Sequence, residues 1–131
     1  MGAWGYGNLE NDTVLDWVVD LLETEDLSLI TESITMVLED DYLDADTAAI
    51  ATGAIEILAA LQNRPGKEEF DDKLNEWIKE HKGKGANLLV TAQKALEKIL
   101  LESELKDLWE ETEEYENWVK TIKELEERTL L

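Results

Sequence analysis

The chain has 131 residues, 44% of them apolar, and a formal net charge of −20 from 32 acidic against 12 basic residues. A chain this long buries about two thirds of its unfolded surface on folding, so that apolar share supports one packed domain over residues 1–131 and argues against disorder. With no cysteine, a disulfide framework, a thiolate metal site and a cysteine nucleophile are excluded.

The charge is lopsided. The first 63 residues hold 14 Asp and Glu and no Lys or Arg; the first base is Arg64, and all 12 bases follow from there. Such a surface repels nucleic acid, anionic lipid and phosphorylated substrates, and steers basic proteins inward.

Residues 1–11 read as a glycine-punctuated loop packed on the rest. Gly2, Gly5 and Gly7 permit a sharp bend, and Trp4 can plug the gap between helices. The segment has neither the basic start nor the apolar stretch of a secretory signal, and no stretch is long and apolar enough to span a bilayer. A cytoplasmic protein without membrane contact is therefore expected.

Asn11, Asp12 or Thr13 can cap a first helix whose inward face is Val14, Leu15, Val18, Leu21 and Leu22, with Trp17 at its border. A second helix begins near Ser28 and turns Ile30, Ile34, Val37 and Leu38 inward. The stretch 46–62 is the centre of the pattern: alanine-rich, apolar on more than one stripe, and charged after Asp46 only at Glu56. A helix apolar on several faces is enclosed by others, and Gly53 marks a close crossing. Asn63-Arg64-Pro65-Gly66 ends it.

Phe70, Leu74, Trp77 and Ile78 mark a short fourth helix, followed by a locally basic loop that includes His81. Asn87 is the expected cap of a fifth helix, whose stripe loses phase at Ser103 and restarts at Leu105, Leu108 and Trp109. Tyr115, Trp118, Val119, Ile122 and Leu125 define the last one. The fold expected is all-α, about six helices in a bundle around 46–62.

Chemistry is harder to find. The only histidine is His81, at no metal-ligating spacing, and it reads as an ordinary loop residue. Asp40, Asp41, Asp44 and Asp46 do not form a calcium loop, because Ala48 and Ala49 stand where an oxygen ligand and a glycine belong. Asp44 or Asp46 is better read as a helix cap. No metal and no cofactor is expected. Glu56 is the one carboxyl that could have a raised pKa, but the pattern places it on a solvent-facing stripe between two buried ones. The tryptophans at 17, 77, 109 and 118 fall on or beside apolar faces, so core packing is favoured over base stacking.

The expectation is a non-enzymatic domain that docks its acids on a basic protein, with an immunity or inhibitor protein for a nuclease-like partner as the concrete form. The acids expected to carry docking are Asp40, Asp41, Asp44 and Asp46, then Asp16, Asp20 and Glu23. A DNA mimic shares this physics. A helical enzyme or small-ligand domain centred on Glu56 is the alternative from a different class.

Met-Gly-Ala-Trp-Gly-Tyr-Gly, followed by Asn11-Asp12 and Asp16-Trp17, resembles the opening of the DUF4259 domain family of small bacterial proteins. Ser103-Glu104-Leu105-Lys106-Asp107-Leu108-Trp109 and Trp118 are similar to a later segment of the same family. The resemblance departs at Asn8-Leu9, where an aromatic is usual. It implies a small helical protein and structural roles for Gly2, Trp4, Gly5, Gly7, Asn11, Asp12, Trp17 and Trp109. It supplies no activity.

Overall fold

The computed structural model of the protein describes residue 5 and residues 7–130. Among these residues there are seven α-helices and no strand: α1 (Asp12–Leu22), α2 (Ser28–Glu39), α3 (Ala45–Leu61), α4 (Asp72–Glu80), α5 (Leu89–Leu101), α6 (Glu104–Glu110) and α7 (Tyr115–Thr129). Gly2 and Trp4, and with them the expected tryptophan plug, lie outside the described residues.

Helix starts follow local capping chemistry. The Asn11 side chain accepts from Thr13 N at 2.8 Å and Val14 N at 3.3 Å. Asp44 does the same for Thr47 N and Asp71 for Leu74 N, each at 2.8 Å. Each cap satisfies main-chain donors that the first turn leaves without partners. Asp46 in the first turn of α3 adds a favourable dipole interaction.

The end of α3 is sharp. Asn63 adopts a left-handed φ of 65°. Its N–H donates to Ala60 O and that of Arg64 to Ala59 O, both at 2.9 Å. That is the Schellman arrangement with asparagine in place of glycine, and Pro65 then prevents continuation.

α3 is the spine. All its residues from Thr52 to Leu61 are buried, and α1, α2, α4, α5, α6 and α7 pack against it. Glycine at 53 is required by the α1 crossing: a methyl group there would collide with Val14 Cγ1. A continuous core runs from Leu9 through the helices to Leu125 and includes Trp17, Trp77, Trp109 and Trp118.

Four details differ from the periodicity. The loss of phase at Ser103 is a break between two helices: the hydroxyl donates to Ile99 O at 2.7 Å and accepts from Lys106 N at 3.0 Å, closing α5 and capping α6. Asn87 caps nothing, because a 3-10 turn (Ala86–Leu88), entered through Gly85 at φ 91°, leads directly into α5. Leu15 and Leu38 point outward, 40% and 38% exposed. Each sits at the edge of a stripe whose middle the core fills.

Candidate functional site

Three acidic features distinguish the molecule. The first is the end at which α2 passes into α3. Asp40 is half-buried, and Asp41, Asp44 and Asp46 are exposed. Lys98 is the base that reaches this turn, yet its ammonium donates to the main-chain carbonyls of Val37 at 2.7 Å and Asp40 at 2.5 Å. It closes the C-terminus of α2, where a cation suits the dipole. Tyr42 stands between these acids with 67% of its surface exposed. Its hydroxyl donates to Glu104 at 2.8 Å, and the same carboxylate accepts from Ala45 N. That bond, with burial and the charges of Glu104, Asp107 and Asp44 behind it, raises the Tyr42 pKa.

The second feature is α1, where Asp12, Asp16, Asp20 and, just past its end, Glu23 are exposed. Asp12 heads the helix behind the Asn11 cap, and Trp17 lies on its buried side. These acids lie on a different helix from the four aspartates. Val14 packs on Gly53 in mid-α3, while Leu27 and Gly85 meet Leu58 near its end. α1 therefore runs from the middle of α3 toward its C-terminal end, whereas Asp40–Asp46 lie at its N-terminal end.

The third feature corrects an expectation. Glu56 does not face solvent; it is 1% exposed. Its Oε1 accepts from Arg128 Nη1 at 2.6 Å, and its Oε2 accepts from Arg128 Nη2 at 3.0 Å and from Asn8 Nδ2 at 2.8 Å. Arg128 also donates to Arg64 O and to Glu124. Burial works to lower the Arg128 pKa; the bonds and charges of Glu56 and Glu124 outweigh it, and the net direction is upward. Gly66 closes over the pair, since a Cβ there would lie 2.7 Å from both Glu56 Oε1 and Arg128 Nη2. The N-terminal loop, the α3–α4 loop and α7 are thus joined at one ion pair. Sequence spacing could not find it, because the partners lie 72 positions apart.

Beside this pair is a cavity of about 430 Å³ lined by Glu10, Lys67, Glu68, Lys120 and Thr121 among others. Glu68 accepts from Leu9 N at 2.9 Å. Its pKa is raised chiefly by burial, with the charges of Glu56 and Glu10 adding to it against the main-chain bonds from Leu9 and Asn8. Gly5 and Gly7 let the N-terminal loop approach the Glu10 carboxylate closely.

His81 is a second correction. It is buried, stacked on Trp77 with ring centroids 4.1 Å apart. Nδ1 lies 2.7 Å from Trp77 O and Nε2 2.9 Å from Glu25 O. It fastens the loop after α4 to the α1–α2 turn. Among the described residues no group of three or more acids and histidines is arranged to hold a metal ion, and no helix is long and apolar enough to cross a membrane.

A buried lock of charge inside, and acids left facing water outside, define a small acidic all-α domain. The chain belongs to the family described as "Domain of unknown function (DUF4259)", which matches residues 2–121. No curated protein and no solved structure matches the chain.

Proposed function

We propose that the protein is a binding domain that docks its acids on a basic protein, and that an immunity or inhibitor protein for a nuclease-like partner is its concrete form. One observation carries this reading. Among the described residues the ion pairs are Lys106–Glu110, Arg128–Glu56 and Arg128–Glu124, so Asp16, Asp20, Glu23, Asp40, Asp41, Asp44 and Asp46 have no cationic partner. Uncompensated surface acids self-repel, and a complementary cationic surface relieves this while accelerating encounter. At the α2–α3 end the exposed ring of Tyr42 adds an apolar contact amid the acids, the kind of aromatic anchor on which interfaces depend.

Glu56 gives little support to an enzyme, since both its oxygens are engaged by Arg128 and Asn8. The test is co-expression with the product of the adjoining reading frame and measurement of association rate against salt. Complex formation should fall steeply as salt rises toward about 0.5 M. Asp40→Lys/Asp41→Lys should slow association by about tenfold. Binding indifferent to both salt and charge reversal would refute the reading.

A further inference from the structure

Between α1 and the segment that leads into α4 runs a groove of about 630 Å³. Its floor is apolar, formed by Leu9, Leu15, Val18, Phe70 and Leu74. Leu15 on this lining is 40% open to solvent, and Val19, 58% open, follows it one turn along α1. At about 100° per residue, Leu15, Val19 and Leu22 share one narrow sector of α1. Asp12, Glu23, Asp16 and Asp20 fill the adjoining sector on the side away from the core. The opposite bank carries Glu68, Glu69 and Asp71, with Lys67 the one base on the lining. The result is an apolar strip between two acidic banks.

We propose that this groove receives an amphipathic helix of the partner protein, its apolar side on Leu15, Val19 and Phe70 and its lysines or arginines over the two banks. The inference rests on the docking reading above and extends it: besides Tyr42 at the Asp40–Asp46 end, the α1 groove supplies a larger apolar contact. Charge selects the occupant. A second copy of this chain would bring the same acids to the same banks, and anionic lipid would be repelled for the same reason. A helix lying in an apolar groove is a common recognition mode, and basic flanks are what these banks complement.

The experiment uses three synthetic peptides: a helical leucine–lysine peptide with lysines on both flanks, a scrambled peptide of the same composition, and a leucine–glutamate counterpart. Binding to the full chain is read by fluorescence anisotropy at about 0.15 M salt. The amphipathic basic peptide should bind about tenfold tighter than the scrambled one, and the glutamate peptide should not bind. Leu15→Ser/Val19→Ser, at exposed positions that leave the core intact, should erase that tenfold ratio. Asp16→Lys/Asp20→Lys should weaken binding and flatten its salt dependence, whereas Asp40→Lys/Asp41→Lys should leave the ratio unchanged. Equal, salt-sensitive binding of both basic peptides would overturn the groove while leaving acidic docking standing. Failure of both basic peptides to bind would overturn both readings, and failure of the amphipathic one alone would overturn the groove. A dimer in sedimentation that Leu15→Ser/Val19→Ser dissociates would assign the groove to a second copy and overturn the proposal.

Discussion

Arg128 sits near the end of the last helix, where an arginine is ordinarily a solvated residue whose loss costs little. Here its removal should be severe. The Glu56 carboxylate it faces is 1% exposed, and Arg128 itself only 14%. Arg128→Met keeps most of the aliphatic stem but strands a buried carboxylate with Asn8 as its remaining donor. Removing one partner of a buried pair costs about 3–5 kcal/mol, and the surviving Asn8 bond places this case near about 3 kcal/mol. At about 4 °C per kcal/mol for a chain of this length, the melting temperature should drop by about 12 °C. The assay is thermal unfolding of four proteins: wild type, Arg128→Met, Glu56→Gln and the double variant. If the loss comes from a stranded charge, Glu56→Gln should restore part of it in the Arg128→Met background, with a coupling of at least about 1 kcal/mol. A cost for Arg128→Met within about 0.5 kcal/mol of zero, or one that Glu56→Gln leaves unchanged, would refute the account.

Gly53→Ala sets two effects against each other: better helix propensity, about 1 kcal/mol in its favour, and a methyl group driven into fully buried Val14. Overpacking at a backbone-close crossing costs about 1–3 kcal/mol, so chemical denaturation should show net destabilisation, and a stabilised variant would contradict the crossing. Stability should also depend on pH. The folded-state pKa values of Glu68 and Glu126 are raised, in both chiefly by burial, above the ordinary 4.5. The folded protein then holds these protons more tightly than the unfolded chain does, so stability is gained as pH falls through the folded values and lost as it rises. Melting temperatures measured from pH 7 down to about 5 should increase, and Glu68→Gln, which keeps an acceptor for Leu9 N, should reduce the slope. Finally, moderate salt should raise the melting temperature of a chain at −20, and a flat response would mean the surface acids do not repel one another appreciably.

The helices were legible where a single chemical signal acts locally. Asp44, Asn63-Arg64-Pro65 and the unbroken apolarity of 46–62 predict α3 to within a residue at each end, because capping, breaking and enclosure are all written in adjacent positions. Gly53 was equally readable, since a glycine in an otherwise strong helix calls for a close neighbour. Ser103 shows the limit. Loss of phase at one serine fits either a rotated stripe or a new helix, and the choice lies in its hydroxyl bonds to Ile99 and Lys106. Glu56 and His81 were misplaced for a common reason. A polar residue in an apolar run is assigned to water unless its partner can be named, and Arg128, Asn8 and Glu25 are distant in sequence. The absence of bases before Arg64 was visible in the sequence, but which helices carry these acids past one another needed the fold in place. The two acidic banks of the α1 groove come from segments some 50 residues apart, which no window of sequence joins.

The Glu56–Arg128 lock also bears on where this polypeptide can be cut. The family match ends at residue 121, seven residues short of the arginine that neutralises the spine's buried carboxylate. A fragment trimmed to that boundary would keep the acid, lose its counter-ion and release the Arg64 loop from the tail that holds it. Shortened versions made for crystallography or display should therefore retain the final turns of α7, even though the portion shared across the family stops earlier.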